Sequence, residues 1–300
     1  MQNNLTDKDI EVLNKWAEEY DIKELKIKDK EEIFNLKKLR LRLWIDKDKI
    51  VYIPNEFFKL ANLEELFIES YFGYIKELPK EIGNLINLKE LYIYYFDCSN
   101  LIELPKEIGN LINLKELNIG CDNLNQLPKE ICNLINLETL SIDCIKLKRL
   151  PKKIYNLINL KSLGIYYDNL ERLPKKIFNL INLEYLDIRS PNLIKFPKEI
   201  GNLTNLKSLN IHCKNLKQLP REICNLINLE TLSIDCIKLK RLPKEISNLI
   251  NLEHLYIGSL NLESIPDEIE NLINLEELII DSYGTCNLKE IPNVINRKIK

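Results

Sequence analysis

A histidine, a serine and an aspartate are the residues of this sequence whose spacing most suggests catalysis. His212 is one of two histidines in the 300-residue chain, Asp235 follows it after a 23-residue interval, and Ser233 stands two positions before Asp235. If strands recur with this 23-residue period, His212 lies beside Asp235 with Ser233 nearby, which resembles part of a nucleophile, base and orienting-acid set. However, a second copy of this segment has Ser141 and Gly120 at the places of Ser233 and His212, and a broad sheet offers no water-excluding pocket. We therefore predict that the chain is not an enzyme.

The cysteines could support redox or metal chemistry. There are eight, namely Cys98, Cys121, Cys132, Cys144, Cys213, Cys224, Cys236 and Cys286. With a 23-residue repeat, Cys121 and Cys144 would lie on adjacent strands about 4.8 Å apart, as would Cys213 and Cys236. This spacing is compatible with a disulfide or a pair of metal ligands, but no CxxC pair or histidine cluster accompanies it. Free cysteine is commonly a small core residue, so we favour buried thiols without a bound metal, and no Gly-rich phosphate loop indicates a cofactor.

Charge and hydropathy argue against several classes of protein. The chain has 43 basic and 45 acidic residues, a formal net charge of −2, and no long run of one sign, which disfavours a nucleic-acid binder. The segment 1–20 lacks the apolar stretch of a secretory signal, and no apolar run is long enough to span a membrane. We therefore expect a cytoplasmic protein whose cysteines stay reduced.

Prolines mark a regular repeat. They recur with a 23-residue period at Pro105, Pro128, Pro151, Pro174, Pro197, Pro220, Pro243 and Pro266, and flank this series at Pro54, Pro79 and Pro292. The segment 130–152 returns unchanged at 222–244, an offset of four repeats. A fixed period of this length is typical of a repeat architecture, whose units become stable only by stacking on one another.

One unit, LKELNIGCDNLNQLPKEICNLIN at 114–136, contains a strand and a turn. Leu114, Leu117 and Ile119 are spaced for a short strand with one face inward. In PKEICNL the apolar residues are three and four apart, and proline suits the start of a helical turn. We predict short helical turns between strands that begin near residues 36, 63, 88, 114, 137, 160, 183, 206, 229, 252 and 275.

This pattern closely resembles the leucine-rich repeat family. It is most similar to the 23-residue intracellular class with LPxEIxxLxxLxxLxL units, as in Ras-suppressor-like and plant intracellular Ras-group-related proteins. The resemblance covers roughly residues 22–292, and NLINL alone occurs eight times. It implies an α/β fold: a right-handed leucine-rich repeat solenoid with a curved parallel sheet on its concave face and short helical turns on its convex face.

We expect one continuous domain in three parts. Residues 1–35 form an N-terminal cap, with a helix at 7–20 whose N-cap is Thr6 or Asp7 and a short first strand at Ile22–Ile27. Residues 36–292 form about eleven repeats, and residues 293–300 form a tail. The sequence does not specify an oligomeric state.

One row of positions departs from the family pattern. The family usually places asparagine three residues after the last leucine of the strand, where this sequence has residues as different as Pro191, Lys214 and Ile237. One residue earlier the side chains are mostly small: Cys121, Cys144, Tyr167, Ser190, Cys213, Cys236, Ser259 and Ser282. We infer that this row points inward and replaces the asparagine ladder.

The strand positions between the core leucines form three rows that vary from repeat to repeat. A uniform scaffold with a variable face is typical of a binding surface, and aromatic and arginine side chains most often anchor interfaces. Strand propensity alone would also account for surface tyrosines. The predicted partner-binding residues are Tyr92, Tyr94, Tyr95, Asp143, Tyr166, Tyr185, Asp187, Arg189, His212, Asp235, His254 and Tyr256.

Two repeats are lengthened by aromatic insertions, SYFGYIKELP at 70–79 and YYFDCSNLIELP at 94–105. Loops on a rigid scaffold often carry function, so the insertions could form one binding patch. They could equally pack as a satellite core over the first repeats.

These features predict a protein-interaction scaffold or adaptor that binds a protein partner through the concave sheet face and the insertions near 70–78 and 94–104. One alternative is an effector or ligand-sensing repeat protein that recognises a host protein or glycan. The other is a purely structural repeat array.

Overall fold

The computed structural model describes residues 3–43, 50–71, 74–75, 77–96, 101–168 and 170–281, with the backbone alone at 50, 51, 71, 74, 75, 95 and 96. The chain divides into two compact units, Met1–Asn159 and Leu160–Lys300.

In the first unit, parallel strands follow one another in chain order. They are β1 Lys38–Arg42, β2 Ile50–Val51, β3 Glu65–Tyr71, β4 Tyr74–Ile75, β5 Glu90–Phe96, β6 Glu116–Cys121 and β7 Thr139–Asp143. The main sheet of this unit has the order β1-β3-β5-β6-β7, and β2 pairs with β4 in a small second sheet.

The second unit has six parallel strands. They are β8 Ser162–Tyr166, β9 Tyr185–Arg189, β10 Ser208–His212, β11 Thr231–Asp235, β12 His254–Gly258 and β13 Glu277–Asp281. Each pairs with its neighbours in sequence from β8 to β13. The predicted repeat fold of parallel strands and short helical turns is thereby confirmed in each unit.

The repeat strands lie where the leucine pattern put them, but each begins two residues later than predicted. The leucine at each expected start still closes the preceding turn. For example, the Leu114 N–H donates to the Leu111 carbonyl at 2.9 Å. Ladder pairing starts only after that turn, so β6 begins at Glu116.

The helical turns are 3-10 helices. They are Asn55–Lys59, Lys80–Asn84, Lys106–Asn110, Lys129–Asn133 and Ile154–Asn156 in the first unit, and Lys175–Asn179, Lys198–Asn202, Arg221–Asn225, Lys244–Asn248 and Asp267–Asn271 in the second. Proline caps nearly all of them with φ near its fixed value, as at Pro128 with φ −62°. The tighter i→i+3 geometry suits short turns such as these.

Leucine and isoleucine at the second and fourth strand positions form the core. Leu117, Leu140, Leu209 and Leu232 are all fully buried, because alternate residues of a strand point to opposite faces. The core therefore fixes the register, which pairs equivalent residues of successive repeats throughout each unit.

Asparagine amides form a ladder between neighbouring turns that the sequence analysis did not predict. The second asparagine of most NLINL motifs, and that of the NLTNL motif at 202–206, donates to a backbone carbonyl of the preceding repeat. The pairs are Asn87 to Ala61, Asn113 to Ile86, Asn136 to Ile112, Asn159 to Ile135, Asn205 to Ile181, Asn228 to Thr204, Asn251 to Ile227 and Asn274 to Ile250, at 2.8–2.9 Å. These bonds satisfy carbonyls that neither the sheet nor the turns use.

The row of small residues after the strands points inward, as predicted. Cys121, Cys144, Cys213 and Cys236 are fully buried, and the six cysteines within the described ranges are free thiols. The sulfurs of Cys121, Cys144 and Cys236 reach carbonyls of the preceding repeat, as from Cys144 to Ile119 at 3.8 Å. The Ser190 hydroxyl likewise donates to the Leu170 carbonyl at 2.9 Å.

The cap contains two helices, α1 Asp7–Tyr20 and α2 Lys30–Phe34. Thr6 is the N-cap of α1, and its hydroxyl accepts from the Asp9 N–H while its own N–H donates to the Asp9 carboxylate. The apolar residues of α1 are buried as expected, with Trp16 at 2% exposure. The predicted strand at Ile22–Ile27 is wrong, because a 3-10 helix, Lys23–Leu25, lies there. Within the described ranges, no helix combines the length and apolarity needed to cross a membrane.

Candidate functional site

The first, third and fifth residues of each repeat strand form the face of the sheet opposite the core, here called the exposed face. The register confirms the three predicted rows within each unit. Tyr92 pairs with Phe67 and Asn118, and Asn210 pairs with Asp187 and Ser233. Side chains that are one repeat apart in sequence are therefore immediate neighbours on this face.

In the first unit, aromatic rings on β3 and β5 form what we call the Phe67 stack. The Phe67 and Tyr92 rings are parallel within 4°, with centroids 4.2 Å apart, and Tyr94 lies 6.3 Å from Tyr92. Cations from β1 cover the other side of Phe67, with Lys38 Nζ 5.2 Å and Arg40 Cζ 4.7 Å from the ring centroid. These distances fall within the range of cation–π attraction.

Carboxylates surround this stack. Glu69 lies 3.7 Å from the guanidinium groups of both Arg40 and Arg42. The Tyr92 hydroxyl donates to Glu90 at 3.3 Å, and burial, followed by the nearby carboxylates, raises the pKa of Tyr92. Tyr92 therefore stays a neutral hydrogen-bond donor, fixed in place by its neighbours.

Tyr94 lies against Gly120 on the next strand. A Cβ atom at Gly120 would stand 2.7 Å from Cδ1 of the Tyr94 ring. The absence of a side chain at Gly120 thus lets the ring settle against the sheet, which half-buries it.

In the second unit, three predicted residues converge on the carboxylate of a fourth, Asp187. Asp187 Oδ2 accepts from the hydroxyls of Tyr166 and Tyr185 at 3.2 and 3.3 Å and from the Arg189 guanidinium at 3.3 Å. Asn210 in turn donates to the Tyr185 hydroxyl at 3.0 Å. We call these five residues the Asp187 cluster.

Asp187 differs from the prediction, because it is not part of the accessible face. It is only 1% exposed. Tyr166 leans over Gly164, where a Cβ atom would stand 2.8 Å from its ring, and the Arg189 guanidinium lies 5.0 Å from the Tyr166 ring centroid. These side chains cover the carboxylate, so strand alternation alone overestimated its exposure.

The other oxygen of this carboxylate lacks a donor. Asp187 Oδ1 is buried and has no hydrogen-bond partner in the described ranges. Leaving such an oxygen unpaired costs roughly 1–3 kcal/mol. Burial, followed by Asp187, raises the pKa of Tyr166, so its hydroxyl remains a donor to Oδ2. The cluster therefore concentrates its donors on one oxygen.

Both histidines lie beside carboxylates, and the repeat predicted the first of these pairs, His212 with Asp235. His212 Nδ1 is 3.5 Å from Asp235, and His254 Nδ1 is 3.9 Å from Glu277. Ser233, however, belongs to the row of Asn210 and Tyr256 rather than to that of His212. Within the described ranges, no group of three or more histidine, cysteine or acidic side chains could hold a metal ion.

The remaining predicted residues lie outside these clusters. Asp143 ends β7 opposite Gly120, and Tyr256 lies on β12 between Ser233 and Ile279. Tyr95 lies in β5 in register with Ser70 and Cys121, but its side chain falls outside the described part of the chain, as do most of the aromatic side chains of both insertions.

The residues missing from the prediction are Phe67, Lys38, Arg40, Glu69 and Asn210. Phe67, Glu69 and Asn210 lie in register with the predicted residues Tyr92, Tyr94 and Asp187, so extending each predicted residue by one repeat would have found them. Arg40 lies one strand further, next to Phe67, and Lys38 is in register with Glu65, which was not predicted.

Two solved structures, the first two described here, show the same fold. The leucine-rich repeat domain of the type III effector XopL is 28% identical, covers 75% of this chain and 77% of its own, and has a TM-score of 0.59. An internalin from Listeria monocytogenes is 20% identical over 84% of this chain and 82% of its own, with a TM-score of 0.54. A leucine-rich repeat protein of Leptospira interrogans is 28% identical over 90% of this chain and 91% of its own, with a TM-score of 0.49.

No curated protein sequence matches this chain significantly. A family profile described as a leucine-rich repeat region matches residues 97–218 and 198–296, more than half of the chain. Proteins of this fold typically serve as interaction modules. The chain belongs to the leucine-rich repeat family.

Proposed function

We propose that this protein is a scaffold or adaptor that binds a protein partner through the exposed face of its sheet. The predicted contact residues are those of the Phe67 stack and the Asp187 cluster, with His212, Asp235, His254, Tyr256 and Asp143 around them. Tyr95 and the insertions near 70–78 and 94–104 belong to the proposal because they continue β3 and β5, which carry the Phe67 stack.

The observation that carries this proposal is the fixed geometry of the tyrosine side chains on this face. Tyr92 is stacked on Phe67, and Tyr166 is hydrogen-bonded to Asp187 and packed beneath Arg189. Tyrosine and arginine are enriched among residues that dominate binding energy. Side chains already held in one conformation lose little entropy when a partner binds.

We further propose that the protein is not an enzyme and acts in the cytoplasm. The split of Ser233 and His212 between different rows supports the first part. The second is supported by buried free thiols in each unit, such as Cys144 and Cys213, which suit a reducing compartment.

A quantitative pull-down with three full-length baits tests the proposal. The face variant carries Tyr92→Ala, Tyr94→Ala, Tyr166→Ala and Tyr185→Ala. The control variant carries Ile112→Ser, Ile135→Ser, Ile158→Ser and Ile181→Ser, four exposed isoleucines outside the strands. Circular dichroism first verifies that all three baits fold.

We expect a partner that the wild type and the control variant retain and the face variant loses. Alanine substitution of anchor residues typically costs about 2 kcal/mol or more each, so retention by the face variant falls well over tenfold. Equal retention by all three baits, or loss from the control variant alone, would rule out the exposed face as the binding surface. A bait set that retains no specific protein would favour a structural array.

An effector that recognises a host protein is the second candidate, supported by the likeness to the leucine-rich repeat domain of a type III effector. Offering the same baits lysates of the source cell and of a foreign host cell separates the two. A face-dependent partner found only in the host lysate would favour the effector, whereas one found in the source cell favours the scaffold.

A further inference from the structure

We propose that Tyr166, Tyr185 and Asp187 form a receptor for the guanidinium group of one arginine of the protein partner, and that Arg189 occupies this receptor in the free protein. This inference rests on the proposed function and specifies the chemistry that the Asp187 cluster recognises.

The cluster has the parts of a guanidinium site. Asp187 supplies a carboxylate, and Tyr166 supplies an aromatic face. The Arg189 guanidinium already uses both, since its Cζ lies 5.0 Å from the Tyr166 ring centroid and its Nη2 lies 3.3 Å from Asp187 Oδ2. Arg189 therefore shows that the site accepts this group.

The internal guanidinium uses the carboxylate incompletely. Charge-assisted N–H···O bonds are usually about 2.7–2.9 Å long, and arginine commonly engages both oxygens of a carboxylate. Here one nitrogen lies 3.3 Å from Oδ2, and that oxygen also accepts from two tyrosine hydroxyls. Oδ1 is left buried with no donor in the described part of the chain. A guanidinium that reached both oxygens would supply what is missing.

Arg189 is placed to give way. Its side chain is 58% exposed, against 1% for Asp187, so it covers the carboxylate from the solvent side. Exposed side chains change rotamer within nanoseconds. When Arg189 turns away, an arginine from outside meets the Tyr166 ring and the carboxylate from the same side.

An arginine fits this receptor better than a lysine. The planar guanidinium presents parallel N–H groups that match two carboxylate oxygens, and it stacks on an aromatic ring. An ammonium group is a compact point charge and cannot bridge both oxygens while lying flat on Tyr166. The ligand of this receptor is therefore arginine, and the experiment compares it with lysine.

Competition with Arg189 makes the proposal measurable without knowledge of the partner. If Arg189 fills the receptor most of the time, only the remaining fraction of the protein can bind an added guanidinium. The apparent dissociation constant then rises in inverse proportion to that fraction, roughly tenfold for a receptor open one tenth of the time. Removing the Arg189 side chain removes this competition.

The probe is blocked arginine, N-acetyl-arginine N-methylamide, titrated into the full chain and followed by the NMR signals of ¹³C-labelled tyrosine rings. The variants are Arg189→Ala, Arg189→Ala with Asp187→Asn, and Arg149→Ala. Arg149 is an exposed arginine of the first unit and controls for the loss of one positive charge. Thermal melting verifies the fold of each variant.

We expect blocked arginine to bind Arg189→Ala at least roughly tenfold more tightly than the wild type or Arg149→Ala, and addition of Asp187→Asn to abolish the gain. If Asp187→Asn does not fold, Tyr166→Leu in the Arg189→Ala background replaces it and should also abolish the gain. Blocked lysine should bind Arg189→Ala several-fold more weakly than blocked arginine.

Equal affinity of the wild type and Arg189→Ala, or a gain that survives both Asp187→Asn and Tyr166→Leu, would overturn the receptor. Equal affinity for blocked lysine would overturn the assignment to arginine. If the probe fails while the pull-down depends on the exposed face, the proposed function stands and this inference falls. If the probe binds as expected but no face-dependent partner exists, the proposed function falls instead.

Discussion

At the scale of single residues, the ends of the strands are held by buried thiols and hydroxyls that occupy equivalent positions. Cys144 and Ser190 both point inward and both reach a backbone carbonyl. Both residues are small and fully buried at this position. The thiols differ from the hydroxyls in one respect, because they can ionise within an accessible pH range.

Buried cysteine predicts a loss of stability in alkaline solution. Burial raises the pKa of Cys144 from 9.0 to about 12. Below pH 9.0 the Cys144 thiol is neutral in both the folded and the unfolded protein. Between pH 9.0 and about 12 it ionises only in the unfolded protein, so the free energy of unfolding falls as pH rises. At about pH 10.5 this thiol alone costs roughly 2 kcal/mol of unfolding free energy.

Urea unfolding of the wild type and Cys144→Ser at about pH 7.5 and about pH 10.5 measures this effect. Serine occupies the equivalent positions 190 and 259 and does not ionise there, so the variant should lose roughly 2 kcal/mol less than the wild type. If the free energy of unfolding fell equally in both proteins between the two pH values, burial would not disfavour ionisation of the Cys144 thiol as proposed.

The sequence predicted which residues share the exposed face but not how their side chains settle on it. The 23-residue offset correctly placed His212 beside Asp235. It could not predict the burial of Asp187, which depends on the rotamers of Tyr166, Tyr185 and Arg189 above it. Those rotamers depend in turn on Gly164, whose missing side chain lets Tyr166 lie flat.

At the scale of elements, glycine lets the 3-10 turns of successive repeats pack directly against one another. A Cβ atom at Gly109 would stand 2.5 Å from the Glu130 carbonyl oxygen of the next turn. This contact is to backbone, which cannot rotate away. Cysteine, serine, glutamate and aromatic residues occupy the equivalent position in other repeats, so the sequence pattern alone does not indicate this close contact.

Two glycine-to-alanine substitutions separate turn packing from face packing. Gly109→Ala should destabilise the protein by about 1–3 kcal/mol, because overpacking against backbone forces the turns apart. Gly120→Ala meets only the Tyr94 ring, at 2.7 Å, and this ring can swing toward solvent, so the cost should stay below about 1 kcal/mol.

The urea midpoints of both glycine variants, with the wild type as reference, test this difference. Tyr94 ring signals should shift in Gly120→Ala and stay unchanged in Gly109→Ala. A larger loss of stability in Gly120→Ala than in Gly109→Ala would contradict the account of turn packing.

At the scale of the whole molecule, copied sequence acquires different surroundings. Residues 130–152 and 222–244 are identical and form the same elements, including β7 and β11. Yet Asp143 lies opposite Gly120, whereas Asp235 lies opposite His212. The repeat therefore conserves the scaffold while the neighbouring strands determine the surface, which explains why the sequence predicted the fold more completely than the site.

A stack of repeats also transmits stability only between neighbours, so the cap should protect the strands nearest to it. Trp16 connects the cap to the first repeats: its ring packs on Phe57 with centroids 5.9 Å apart, and its Nε1 donates to the Tyr52 carbonyl at 3.0 Å.

Trp16→Ala should cost about 3–5 kcal/mol locally. Amide hydrogen exchange should therefore accelerate most in β1 and β3, less in β6 and β7, and not at all in β12. Tyr52→Ala is the matched control, because that side chain is exposed and the substitution keeps the carbonyl that Trp16 uses. If Trp16→Ala accelerated exchange equally in β1 and β12, the chain would unfold as one cooperative body and the nearest-neighbour description would not apply to it.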